Sequence, residues 1–113
     1  MIAYIRNAYG GELEFLWRWF PNNAIWRRGD TNKWYGILMV LSKRKLGLDS
    51  DDRVEVIDLH MEPEEIERVT DGRTYFPGYH MNKRHWCSIC LDGSVPIEDI
   101  FQRIDESYRL AVK

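Results

Sequence analysis

Trp34-Tyr35-Gly36-Ile37-Leu38-Met39-Val40-Leu41 is the longest apolar stretch of the chain, and its reading decides the fold. Eight residues is strand length, well short of the roughly 20 that a membrane helix needs. Leu38 and Val40 fall on one side of such a strand and Ile37, Met39 and Leu41 on the other. A strand apolar on both faces is central in a sheet or covered on both sides. Just upstream, Gly29-Asp30-Thr31-Asn32 has turn chemistry, and Ala24 to Arg28 reads as a partner strand. Residues 24–41 are therefore a hairpin whose polar tip ends at Lys33.

Working outward, Ser42 to Asp52 is a charged connector and Val54 to Met61 a third strand. The alternation of that strand slips between Val56 and Ile57, which indicates a bulge or a passage from edge to core. His85 to Leu91 is a fourth strand, with Cys87, Ile89 and Leu91 on one face and Trp86, Ser88 and Cys90 on the other. Ile2, Ile5 and Tyr9 recur at helical spacing until Gly10-Gly11 stops them. Pro63-Glu64-Glu65-Ile66 opens a short helix that Gly72 ends, with proline and acids suited to its first turn. After Pro96, Ile97, Ile100, Phe101, Ile104 and Tyr108 form one helical stripe. Residues 12–23 show no period beyond the turn signal Pro21-Asn22-Asn23, and residues 73–84 read as an irregular basic and aromatic loop. The order is helix, hairpin, strand, helix, strand, helix. It predicts an α+β fold, an antiparallel sheet backed by helices on one side, with residues 1–113 as a single domain.

At 113 residues, with 44% hydrophobic and 30% charged, the chain can build one core without staples. It is too short for a barrel enzyme or for a dinucleotide fold with a substrate domain. No apolar run spans a membrane, the first residues lack the pattern of a signal peptide, and cysteines number two. These features predict a reduced cytoplasmic protein and a monomer, with no membrane partner. The net charge of −2 hides a segregation. Residues 1–48 carry eight Lys/Arg against three Asp/Glu, residues 49–71 two against ten, and residues 72–85 three against none. Folding either re-mixes these blocks or opposes a basic face to an acidic one.

Motifs for chemistry are few. Cys87 and Cys90 supply at most half of a zinc site, and three residues apart on a strand they face opposite ways. His80 and His85 have Lys83 and Arg84 beside them, which opposes metal binding. There is no nucleophile elbow and no phosphate-binding glycine pattern. An enzyme is the weakest class, and no metal or cofactor is expected. Basic residues interleaved with aromatics are the remaining signal: Arg27-Arg28, Lys33-Trp34, Arg73 to Tyr79 and Lys83-Arg84-His85-Trp86. Such a texture suits phosphates and bases, with Asn82 as a further donor or acceptor. The plainer reading makes Trp34, Phe76 and Trp86 core residues with solvated cations beside them.

The stretch Pro77-Gly78-Tyr79-His80-Met81-Asn82-Lys83-Arg84-His85-Trp86, followed by Leu91-Asp92-Gly93-Ser94-Val95-Pro96 and Ile104-Asp105-Glu106-Ser107-Tyr108, resembles the MmcQ/YjbR-like family of small bacterial proteins. Lys33-Trp34-Tyr35 and Lys45-Leu46-Gly47-Leu48 before the third strand fit as well. The resemblance implies an antiparallel sheet backed by helices, with a secretion-chaperone-like or frataxin-like shape. It implies no catalytic activity and no cofactor. It also implies an association with double-stranded DNA, by analogy to a double-wing arrangement, and points to His80, Asn82, Lys83, His85 and Trp86 with Lys33 and Trp34. Together with the basic clusters, the candidate nucleic-acid site is Arg27, Arg28, Lys33, Trp34, Arg73, His80, Asn82, Lys83, Arg84, His85 and Trp86. The alternative is an adaptor that binds a protein or peptide on an exposed sheet face, with no nucleic-acid role.

Overall fold

The computed structural model of the chain describes residues 1–112. Its elements are α1 (Ile2–Tyr9), β1 (Ala24–Arg27), β2 (Trp34–Ser42), a 3-10 turn (Lys43–Leu46), β3 (Arg53–His60), α2 (Pro63–Val69), β4 (Tyr75–Pro77), β5 (Trp86–Cys90) and α3 (Ile97–Leu110). The strands form one antiparallel sheet in the order β1-β2-β3-β5-β4. The expected α+β architecture is present, with one strand more than the four expected. That strand is β4, inside the stretch read as irregular. It has three residues and ends in Pro77, and an outer strand tolerates a proline because one of its edges needs no donor.

β3 lies in the middle of the sheet, and Val56, Ile57, Asp58 and Leu59 are all buried. Burial on both faces is why its alternation slips. Its register runs unbroken from Ile37↔Asp58 to Ser42↔Arg53, so no bulge sits there. The irregularity lies in the hairpin instead. Trp26 opposes Gly36 and Arg27 opposes Trp34, which leaves Tyr35 as the extra residue of β2. Gly36 and Leu38 face the helices, where Trp26 and Leu59 lie against them. Without the extra residue Trp34 would face the same way. With it, Tyr35 enters the helix-side core and Trp34 turns to the opposite face, edge-on to Trp17. Helix α3 completes the break in the ladder. Ser107 Oγ donates to the Tyr35 carbonyl at 2.6 Å and accepts from the His60 N–H at 2.9 Å.

All the helices pack on one face. Ile5 of α1 and Ile100 and Ile104 of α3 meet Trp26, Tyr35, Ile57, Leu59 and Ile89. Ile66 of α2 meets Met61 and Cys87. The phenols of Tyr4 and Tyr9 both donate to Asp105, tying α1 to α3. On the other face Ile25, Ile37, Met39, Val56, Trp86 and Cys90 are covered by no helix. Their cover is Trp17 from the long α1–β1 connection, Leu46 and Leu48 around the 3-10 turn, and Tyr79 and Met81 from the β4–β5 loop.

Candidate functional site

The β4–β5 loop, residues 78–85, is held down by its own backbone. Gly78 N–H donates to the Trp86 carbonyl at 2.9 Å. A Cβ on Gly78 would lie 2.6 Å from the Trp86 Cβ and 2.9 Å from its carbonyl oxygen, so only glycine lets the loop lie this close. Tyr79 N–H donates to Ser88 Oγ at 2.9 Å, and Ser88 Oγ donates in turn to the carboxyl of Asp58. The Asn82 side-chain oxygen accepts from the Arg84 N–H at 2.9 Å, and its carbonyl accepts from Trp86 N–H at 3.0 Å. Lys83 Nζ donates to the Gly78 carbonyl at 3.0 Å. His80 takes a left-handed backbone, φ 62°. The Asn82 and Lys83 of the motif thus bond their own loop first.

Asp58 is fully buried beneath this loop. Burial pushes its carboxyl up to about 7, against the opposing pull of the Ser88 hydrogen bond and the Lys83 charge. Its second oxygen has no hydrogen-bond partner among the described residues. Next to it on the same face, the His60 ring lies 3.9 Å from the Trp86 ring, and burial lowers the imidazole's affinity for a proton.

The sheet register places the start of β2, the end of β3 and the start of β5 at one end of the sheet. Lys33, Trp34, Asn82, Lys83, Arg84 and His85 meet there, and Met61 N–H bonds the His85 carbonyl at 3.0 Å. His80 lies in the same loop, and the other expected site residues are buried or lie elsewhere. Trp86 is buried in the sheet. Arg27 pairs with Glu14 at 3.1 Å. Arg28 pairs with Asp30 at 2.7 Å, donates to the Tyr108 carbonyl at 2.6 Å and covers the Tyr108 ring at 4.1 Å, so it fastens the hairpin to α3. Arg73 precedes β4 at the far end, since Tyr75 opposes Ile89 while Pro77 opposes Cys87. Of eleven candidates, Lys33, His80, Lys83, Arg84 and His85 are the exposed basic side chains that share this region.

Beside the loop the uncovered face opens into a groove of about 660 Å³. Trp17 and Phe20 form one wall, and Tyr79, His80 and Met81 the other. Trp34, Ile37, Met39 and Leu41 lie along it, and Ser42, Lys45 and Arg53 mark one end. Among the described residues no carboxylate lines it. The helices behind the sheet carry Glu64, Glu65 and Glu67 on α2 and Glu98, Asp99, Asp105 and Glu106 on α3, while Asp49, Asp51, Asp52 and Glu55 lie around the turn into β3. Trp17, Phe20, Lys45, Arg53 and Asp58 were not legible as site residues. The signals for them were the aromatic density of Phe15-Leu16-Trp17-Arg18-Trp19-Phe20 and a lone acid at a buried position of the third strand.

Cys87 and Cys90 lie on opposite faces of β5, both free and buried. Burial pushes their thiols up to about 12 and about 11. Among the described residues no group of three or more His, Cys, Asp or Glu side chains is placed to hold a metal ion.

A sequence model of the YjbR family matches residues 7–110. The chain is 36% identical to the uncharacterised protein YyaQ of Bacillus subtilis, over 97% of this chain and 93% of that one. It is 47% identical to YjbR of Escherichia coli over a shorter segment, 32% of this chain and 30% of that one. A crystal structure of a protein from Pseudomonas syringae superposes with a TM-score of 0.93 at 35% identity, covering 97% of this chain and 94% of that one. Protein DR2400 of Deinococcus radiodurans shares the fold, with a TM-score of 0.72 at 23% identity, covering 96% of this chain and 76% of that one. The residues that tie the 78–85 loop to β5 thus sit within a chain that belongs to the YjbR family.

Proposed function

We propose that this domain is a non-enzymatic binding module that holds an apolar segment of a protein partner in the groove on the uncovered sheet face. The groove carries the reading: about 660 Å³ of largely aromatic and aliphatic lining is the size and chemistry of a ligand site. The apolar surface continues beyond it. Phe15, Leu16, Trp19 and Phe20 are 62%, 46%, 83% and 57% exposed, and exposed apolar patches mark interaction sites.

Fluorescence titration with N-phenyl-1-naphthylamine, a neutral apolar probe, tests this. One probe should bind per chain, and Met81→Glu, which puts a carboxylate into the groove wall, should weaken it at least about tenfold while the protein stays folded. Absence of binding to the wild type, or equal binding to both, removes the reading.

The cationic end of the sheet supports a second reading, contact with the phosphates of duplex DNA. Lys33, Lys83 and Arg84 come from two separate segments and are in no ion pair among the described residues, unlike Arg27 and Arg28. Three phosphate contacts give a log–log salt slope of about −2 to −3. Anisotropy with a labelled duplex across a salt series should show that slope, and Lys83→Glu with Arg84→Glu should weaken binding to all sequences alike. No binding at low salt and tens of micromolar protein removes it.

A further inference from the structure

We infer that the groove takes an extended peptide as an added strand along the free edge of β2, with an acidic residue of that peptide at Lys45 and Arg53. The inference rests on the groove reading and adds the mode of binding and the partner's chemistry.

The free edge follows from the sheet register. β1 stops at Ala24, opposite Leu38, while β2 continues to Ser42. In an antiparallel ladder each residue directs its N–H and C=O to one side, and its neighbours direct theirs to the other. Val40 N–H donates to Asn23 Oδ1 at 3.2 Å, on the β1 side. Glu55, opposite Val40, sends its carbonyl to Leu91 N–H at 2.8 Å, away from β2. Val40 and Glu55 are therefore not bonded to each other. Ser42, two residues on, points the same way as Val40. The Val40 carbonyl and the Ser42 N–H thus face the side that β1 has vacated, and both residues line the groove. An acceptor and a donor two residues apart on an open strand edge are what a peptide strand recognises.

Charge fixes the chemistry of the occupant. Lys45 and Arg53 line the groove at this end and are in no ion pair among the described residues. Of the nearby acids, Asp49 and Asp51 are engaged by Arg44, at 3.7 and 2.7 Å, and Asp52 and Glu55 stand outside the lining. With no carboxylate in the lining, the partner supplies one. Its alternate side chains, pointing to one face as in any strand, meet Met39, Tyr79 and Met81 and are apolar.

The test uses oriented pools of labelled seven-residue peptides with valine, leucine or phenylalanine at alternate positions and two glutamates at either end. One twin pool replaces the glutamates by lysines, and another methylates alternate backbone amides. Displacement of N-phenyl-1-naphthylamine reports occupancy of the groove. The acidic pool should displace the probe, with both twins at least about tenfold weaker. Two protein variants sharpen the test. Ser42 already has φ −75°, close to proline's, so Ser42→Pro removes the edge donor without straining the chain. It should weaken the acidic pool about tenfold, and the double variant Lys45→Gln with Arg53→Gln should abolish the preference for the acidic over the lysine pool. If the probe binds but acidic, lysine and methylated pools bind equally, or the variants change nothing, strand addition by an acidic peptide is wrong and the groove reading stands. If the probe does not bind either, both fail together.

Discussion

Under α1 and α3, Trp26, Ile57, Leu59, Ile89 and Ile104 are completely buried. Across the sheet, Trp17, Trp34, Tyr79 and Met81 remain half-buried around a groove. The two faces start from similar apolar strands and are closed by different means. A helix with an apolar stripe lays a side chain on the sheet every three or four residues and leaves no gap. The connection 10–23 and the loop 78–85 have no such period. They are positioned by single polar contacts: the bridge of Glu14 to Ile25, the Asn23 bond to Val40, and the bonds of Gly78 and Tyr79 to β5. Burial dominates stability on the first face. The second keeps apolar surface available, at a smaller contribution to folding.

The largest test of that contrast is a pair of tryptophans. Trp26→Ala on the helix side should cost about 3–5 kcal/mol, the range for removing a fully buried large ring. Trp17→Ala on the groove side should cost about 1 kcal/mol or less, as a partly solvated ring leaves little cavity. Urea unfolding measures both, with probe titration of the Trp17 variant expected to show weakened binding. Equal costs would make the groove face ordinary core and break the comparison.

Why the sequence revealed one face better than the other follows from the same contrast. The stripe from Ile97 to Tyr108 and the double-sided β2 repeat at fixed periods, and the fold class could be read from them. The bulge at Tyr35 has no period. It depends on Ser107, 72 residues away, meeting the Tyr35 carbonyl. β4 has only three residues and contains a proline, too little for a strand pattern. The fates of Arg27 and Arg28 turned on Glu14, Asp30 and Tyr108, and the Tyr108 contact exists only once α3 has docked. The loop residues 80–85 could be singled out because their motif is local. The opposite groove wall could not, since Trp17 and Phe20 sit in a segment without regular structure.

An intermediate effect belongs to Asp58, the buried acid of the groove face. Its carboxyl is raised to about 7, against 3.8 for an ordinary aspartate. Between roughly pH 4 and pH 7 the folded protein therefore holds a proton that the unfolded chain releases. Stability from this group is complete below about pH 4, falls as pH rises through 7, and is level above. The loss is on the order of a few kcal/mol. Asp58→Asn keeps an acceptor for Ser88 and carries no charge. The difference between wild type and variant in unfolding free energy, followed from pH 4 to pH 8.5, should shift in the variant's favour up to about pH 7 and level off above it. A flat difference would mean that Asp58 is charged in the fold, with Lys83 near enough to hold it so.

The smallest expected effect concerns Asn82, and it decides which kind of residue the loop motif contains. Its side chain is exposed, and its oxygen accepts one hydrogen bond, from the Arg84 N–H. A local bond of that kind contributes about 0.5–1 kcal/mol. Asn82→Ala should lower stability by about that much. Asn82→Asp, which keeps the acceptor, should recover most of it. The bond matters because it shapes the turn that delivers Trp86 into β5, where the Asn82 carbonyl takes the Trp86 N–H. Loosening it moves Tyr79 and Met81, so probe affinity in the groove should fall along with stability. If Asn82→Ala leaves unfolding unchanged and weakens only duplex DNA, Asn82 belongs to the cationic end of the sheet as a contact residue. The uncovered face would then carry two working surfaces, a groove and a phosphate-binding rim, held by the same loop.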